Sequence, residues 1–332
     1  MSVKLSILDL VPYHEHRSIG EALKSSRKLA QLAEQLGYTR YWVAEHHSID
    51  GISSAATAVV IGFIAEGTNK IRVGSGGIML PNHAPIVIAE QFGTLESLYP
   101  GRIDLGLGRA PGSDRQTMAA IRRGLDQRGG EFDQLIDELE YFFEEPYEGQ
   151  KVKAVPGAGL NVPLYILGSS LYSAHLAAKL GRPYAFAGHF APQQMLEAFD
   201  VYRREFTPSK HLEKPYVMAG VPVVAAATDR EAERLATTVY QTFLNLVRGN
   251  PRLALPPIDS MEGVWSPMEE AHVRRMLEIF VVGGPERVKA GLDQLIAMTG
   301  ADELILSSNF YDDSDRRRSY EIIARAYIEN AK

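Results

Sequence analysis

Strand-like and helix-like stretches alternate from one end of this chain to the other. That alternation constrains the fold more than any single motif, because strands separated by helices run parallel and are joined by right-handed crossovers. Strand patterns run Val3 to Leu10, Tyr41 to His46, Ile71 to Leu80, Arg102 to Arg109, Leu164 to Leu167, Tyr184 to Ala187, Tyr216 to Ala227 and Glu303 to Ser308. Eight of them favour a closed (β/α)8 TIM barrel over an open doubly wound sheet. The 332 residues suit one such domain, 1–332, with proline-bearing insertions at about 146–163 and 249–267 that read as lid material.

Helix boundaries are written locally. Ser18-Ile19-Gly20-Glu21 and Thr228-Asp229-Arg230-Glu231 fit capping boxes, Ser53 or Ser54 can cap the helix ending at Glu66, and Pro85 suits a first helical turn. Gly37 and Gly181 mark C-terminal ends, and the helix after the fifth strand is expected to start near Ser173.

Composition removes several function classes. A formal charge of -6 without a dense basic tract argues against a nucleic-acid partner, and Arg316-Arg317-Arg318 reads as a solvated helical face beside Asp312, Asp313 and Asp315. With no cysteine, disulfides, thiolate metal sites and cysteine nucleophiles are excluded. The most apolar run, Ala55 to Ala65, is too short for a bilayer, and the N-terminus enters a strand without a secretory pattern. A cytoplasmic enzyme, with no membrane partner, is the expectation.

In a barrel, functional groups gather at the C-terminal ends of the strands. The exits here carry His14-Glu15-His16, Glu45-His46-His47, Asn82-His83, Arg109, Gly168-Ser169-Ser170, Gly188-His189 and Ser307-Ser308-Asn309. Polar loops alone would explain any one of these; their convergence on one rim is the signal. His14-x-His16 resembles the metal-binding pair of the amidohydrolase superfamily, but strand four brings no lysine, strand five no histidine and strand eight no terminal aspartate. HExxH is also missing, so a metal-dependent hydrolase is an outside alternative.

An anion site is better supported. Arg109 follows Gly106 and Gly108, whose missing side chains would let a flat ligand approach, and Leu167-Gly168-Ser169-Ser170 turns from a strand into a helix whose first N–H groups can hold a phosphate. A glycine-tightened loop with Arg109 paired to Asp114 is the competing explanation. Gly74-Ser75-Gly76-Gly77 inside a β-branched strand marks a distorted backbone, close ligand approach, or packing against a bulky neighbour.

Together these features resemble the bacterial luciferase-like monooxygenase family, flavin-dependent barrel enzymes. The likeness runs from Leu36-Gly37 and Trp42 to His47, through Ile71 to Leu80-Pro81 and Gly101-Arg102 to Arg109, to Gly283-x-Pro285-Glu286 and Gly300-Ala301-Asp302-Glu303-Leu304. The resemblance implies that reduced FMN, supplied by a separate flavin reductase, reacts with dioxygen, and that the resulting flavin peroxide oxygenates a small organic substrate; Tyr147, Leu160, Leu253, Leu255 and Trp265 in the two insertions would suit an apolar one, and a packed loop explains them equally well. His46 matches the family's catalytic histidine. Gly76 and Gly77 match the place of a non-proline cis peptide against the flavin ring, and Gly108 takes the position of a luciferase cysteine. Arg109, Ser169 and Ser170 match the phosphate-binding arginine and loop. A homodimer through the helices of Ala55 to Ile64 and Ile86 to Leu98 is implied as well. A deazaflavin-dependent oxidoreductase and a flavin-binding protein without turnover are the alternatives.

Overall fold

Eight parallel strands close on themselves around a core of side chains. The structure, a computed structural model, describes residues 3–110, 112–121 and 131–328. The strands are β1 (Lys4–Asp9), β2 (Arg40–Val43), β3 (Arg72–Met79), β4 (Ile103–Gly108), β5 (Leu164–Gly168), β6 (Tyr184–Phe186), β7 (Val217–Ala225), β8 (Val281–Gly283) and β9 (Glu303–Ser307). The ring runs β1 to β7 in order and closes through β9, which pairs with both β7 and β1. The helices are α1 (Ile19–Leu36), α2 (Thr57–Glu66), α3 (Pro85–Leu98), α4 (Arg115–Ile121), α5 (Phe132–Phe143), α6 (Leu171–Leu180), α7 (Met195–Glu205), α8 (Asp229–Val247), α9 (Pro267–Met276), α10 (Pro285–Thr299) and α11 (Asp313–Tyr327). No helix among the described residues is long and apolar enough to cross a membrane.

The barrel expectation holds, with local corrections. β8 was not foreseen: it pairs outside the ring with the far end of β7, Val223 to Ala225, and with α8 and α9 builds a second apolar cluster around Val224, Leu235 and Val273. Ser53 and Ser54 do not cap α2; Ala56 stands at its N-cap without a side-chain bond, while the Ser53 hydroxyl donates to the Val11 carbonyl. The box at α1 is complete, whereas at α8 the Glu231 carboxylate accepts from Ala227, one residue before the Thr228 cap. Arg316 is not solvated. It is 4% exposed and donates to Asp9 at the end of β1 and to the Ser308 carbonyl, pinning α11 to the barrel.

Inside the ring, Leu8, Trp42, Ala44, Tyr165, Ala185, Met218 and Ile305 pack together. Below them, at the N-terminal ends of the strands, lies a buried charge network. The Arg40 guanidinium donates to Glu303 Oε1 at 2.7 Å and to Asp104 Oδ2 and the Tyr165 hydroxyl at 2.8 Å each. Asp104 also accepts from Trp42 Nε1 at 3.1 Å and from Arg72, and Glu303 accepts from Ser6 and Tyr216. Burial disfavours the Arg40 charge, but Asp104 and Glu303 outweigh it and hold its pKa well above the usual value.

This network predicts the effect of Asp104→Asn. Leaving two guanidiniums without their shared carboxylate is expected to destabilise the fold by about 3–5 kcal/mol, the range for breaking a buried ion pair. Guanidinium-chloride unfolding measures it, and an unchanged midpoint would contradict the assignment.

Candidate active site

Past Val43 the chain leaves β2 but does not leave the interior at once. Glu45 is 1% exposed and its carboxylate accepts from His47 Nε2 at 2.8 Å, from His83 Nε2 at 2.9 Å and from the Met79 N–H at 3.1 Å. Burial would raise its pKa; the bonds from His83, His47 and Met79 reverse that and hold it below the ordinary value. One carboxylate thus ties the exit of β2 to the exit of β3. The loop beyond is set by two residues in left-handed conformation, Val11 at φ 53° and Ser48 at φ 55°, and by the antiparallel bridge of Pro12 with Ile52. Such conformations in non-glycine residues are costly and concentrate at functional rims.

His46 stands between these supports. Its pKa is lowered, first by burial and further by His47, against the opposing pull of Glu45 and a bond to the Gly112 backbone. The His47 N–H also donates to the Gly112 carbonyl at 3.1 Å. Gly112 takes φ 64°, and a Cβ there would lie 2.9 Å from the Glu45 carbonyl, so the segment after β4 packs on the Glu45-His46-His47 run only because this residue is glycine.

The glycines of β3 and β4 form a seam. A Cβ on Gly77 would meet the Gly106 carbonyl at 2.7 Å, and one on Gly106 would meet the Ser75 carbonyl at 2.3 Å. The register between the two strands shifts across Ser75 and Ile78, and the Gly76–Gly77 peptide is cis. The space expected to be open for a ligand at Gly106 is therefore filled by the backbone of β3, and Met79 Sδ lies 2.9 Å from where a Gly108 Cβ would be.

Arg109 follows directly, exposed, with its guanidinium 4.0 Å from the centroid of the Tyr172 ring. Asp114 is occupied otherwise, accepting from the Gln116 and Thr117 N–H groups and the Thr117 hydroxyl. α6 starts at Leu171, earlier than expected, with Ser170 as an N-cap that makes no side-chain capping bond. Ser173 turns inward to the Ser170 carbonyl at 2.8 Å, and Gly168 makes room for it, because a Cβ there would lie 2.1 Å from its hydroxyl. The first-turn N–H groups of α6 and the Arg109 guanidinium consequently share one corner of the rim, where a helix N-terminus favours an anion.

Other expected residues do not join this group. His14 stacks on Tyr311 and, with His16, lines a separate cavity of about 540 Å³ between α1 and α11. No three His, Asp or Glu side chains converge as metal ligands among the described residues. Two contributors were given no role beforehand: His83, visible only as a polar strand exit, and Gly112, whose constraint depends on a contact between distant segments.

Residues 3–303 match the family model for luciferase-like monooxygenases. The chain belongs to this family. Its relatives include the uncharacterized protein YvbT of Bacillus subtilis, 52% identical over 96% of this chain and 95% of that protein. A luciferase-like monooxygenase of Escherichia coli is 48% identical over 97% and 96%, and the N-acetyl-S-alkylcysteine monooxygenase of B. subtilis is 36% identical over 98% of each. The solved structure of apo-MsnO8 shares 37% identity, covers 98% of both chains and superimposes with a TM-score of 0.89. Two more distant structures share the fold alone. The FMN-bound oxygenating constituent of 3,6-diketocamphane monooxygenase has 20% identity and a TM-score of 0.73 over 98% of both chains; an F420-dependent secondary alcohol dehydrogenase has 14% and 0.69 over 98% and 99%.

In this family member the Glu45 clamp gives a pH signature. The native pKa of Glu45 lies below the ordinary 4.5, so its contribution is full above pH 4.5 and fades as pH falls through the lower native value. Glu45→Gln is expected to cost about 2 kcal/mol at pH 7, from lost charged hydrogen bonds. The deficit should shrink in acid; urea unfolding from pH 7 to pH 3 measures it, and a deficit independent of pH would contradict the clamp.

Proposed function

We propose that this protein is an FMN-dependent monooxygenase that oxygenates a small, apolar organic substrate with dioxygen. The observation that carries the reading is the corner where Arg109 meets the uncapped first turn of α6. It fits a phosphate monoester: N–H donors at a helix start, a guanidinium steadied by Tyr172, and the serine loop Ser169-Ser170. We read 1–332 as one barrel unit.

When bound, reduced FMN supplies the electrons that activate dioxygen. Everything else falls to the chain. Arg109, Ser169, Ser170 and the α6 N–H groups would hold the phosphate end, and Gly76, Gly77 and Gly108 would border the ring through their backbone, with Leu8, the Gly106 carbonyl and Met79 packed where their side chains would be. His46, with its pKa lowered by burial, is uncharged at neutral pH and can take a proton at the reacting centre. Glu45 keeps the loop that carries His46 fixed through His47, His83 and Met79. The reduced cofactor comes from a separate flavin reductase, and a cytoplasmic setting suits that exchange. The deazaflavin alternative is supported only by neighbours that share the fold.

The test is anaerobic titration with reduced FMN followed by admission of oxygen, using the loss of flavin affinity in Arg109→Ala as the second arm. Arg109→Ala is expected to weaken FMN binding about tenfold to a hundredfold, the worth of a charge-assisted bond. Riboflavin, lacking the phosphate, should bind both proteins alike. An equal loss for riboflavin, or no binding of FMN by the parent protein, would overturn the reading.

We also infer a homodimer through α2 and α3. Val59 on α2 is 73% exposed, and Val87 and Leu98, eleven residues apart on one face of α3, are 41% and 63% exposed. Val59→Asp is expected to shift the mass measured by light scattering from dimer toward monomer. A parent protein that is already monomeric at working concentration would end the proposal.

A further inference from the structure

His189 is a titratable side chain at the rim that the reaction outlined above leaves without work. β6 is only three residues long, and the chain leaves it through Gly188 into His189. Two glycines cut the slot the imidazole occupies. A Cβ on Gly220 of β7 would sit 2.6 Å from His189 Nδ1, and a Cβ on Gly188 would sit 2.6 Å from the Gly220 carbonyl. His189 Nδ1 is shut off from solvent and has no hydrogen-bond partner among the described residues, while the ring as a whole is only partly buried.

A buried N–H without an acceptor is the rarer and costlier of the two orphaned states, so the sealed nitrogen keeps its lone pair and the proton resides on Nε2. Burial, and after it the neighbouring His46, lower the His189 pKa to about 4, which keeps the ring neutral across the working range. Around the Gly188 exit the packed groups are apolar, Ile279 from the segment before β8 and Met195 from α7; His46 is the titratable group that faces the ring.

Topology supplies the second half. From β2 to β6 the ring counts four steps in either direction, so His46 and His189 leave opposite walls of the same mouth. A positive charge on His46 would disfavour one on His189, so the two exits act on the same mouth.

We propose that His189 is a second working imidazole of the mouth, its Nδ1 sealed against β7 and its Nε2–H presented as a hydrogen-bond donor to the oxygen-bearing reactant opposite His46. The role at the reactant rests on the flavin monooxygenase reading; the donor assignment does not. A reactant between them is held by an acceptor on one side and a donor on the other, and with the His189 pKa lowered to about 4 the donor stays uncharged from pH 8 to pH 5.5.

Two measurements on the intact chain decide this. Nitrogen-15 histidine spectra of the protein without flavin should show His189 as the Nε2–H tautomer, with no titration from pH 8 to pH 5.5. Protonation in that window, or the Nδ1–H tautomer, would overturn the donor assignment. In stopped flow, with reduced FMN bound and dioxygen as the probe, His189→Phe should change the oxidation rate constant by about tenfold, the effect of one lost hydrogen bond. Its affinity for oxidised FMN should stay unchanged within a factor of about three, and His189→Gln, which keeps an N–H near the same place, should restore most of the rate. A Phe variant with the parent rate would overturn the role at the reactant. A parent protein that binds no reduced FMN would sink the flavin reading, and the spectra would still judge the donor.

Discussion

Arg40 between Asp104 and Glu303 is the interaction on which the rest of the molecule depends. Through Arg40, Ser6, Arg72, Asp104, Tyr165, Tyr216 and Glu303, one hydrogen-bonded layer touches β1, β2, β3, β4, β5, β9 and the residue before β7. The layer fixes the strands relative to one another at their N-terminal ends and fills that end of the lumen with charge already paired. An apolar layer around Trp42 and Met218 sits on it. Only the opposite end is left for a ligand, where the field comes from loops rather than from a core that must neutralise itself.

At that open end the constraint changes from charge pairing to close approach. Gly77 and Gly106 bring the backbones of β3 and β4 to distances that any side chain would prevent, since a Cβ on Gly106 would lie 2.3 Å from the Ser75 carbonyl and one on Gly77 2.7 Å from the Gly106 carbonyl. The carboxylate of Glu45 then ties the displaced end of β3, at the Met79 N–H, to the His47 and His83 rings. The glycine seam and the carboxylate clamp act together: the seam shifts the strand, and the clamp holds the shifted strand beside His46.

Much of the fold and of the candidate site is legible in the sequence. Strand–helix alternation led to the barrel, and the convergence of Glu45, His46, Arg109 and the Ser169-Ser170 turn on one rim led to the site, because strand direction alone decides which ends gather. What escaped has a common cause. β8 is three residues long and takes its definition from pairing with β7, so no periodicity announces it. Arg316 reads as surface charge in a helix rich in Arg and Asp, and only the distant carboxylate of Asp9 accounts for its burial. The cap of α2 went to Ala56 because Ser53 serves the Val11 carbonyl instead. Glycine signals were read correctly as close approach, but at Gly106 the approaching group is protein backbone rather than ligand.

The proposed function rests on one division of labour: a self-neutralised lower barrel, and an upper rim in which the Arg109 and α6 corner is proposed to hold phosphate and the glycine seam and His46 to face the reacting ring. A crystal structure of the protein with FMN bound tests it most directly. The account predicts phosphate oxygens at about 2.7–3.2 Å from first-turn N–H groups of α6 and from Arg109, with the ring against Gly76–Gly77. A phosphate bound elsewhere on the rim, or a ring that does not reach the glycine seam, would contradict it.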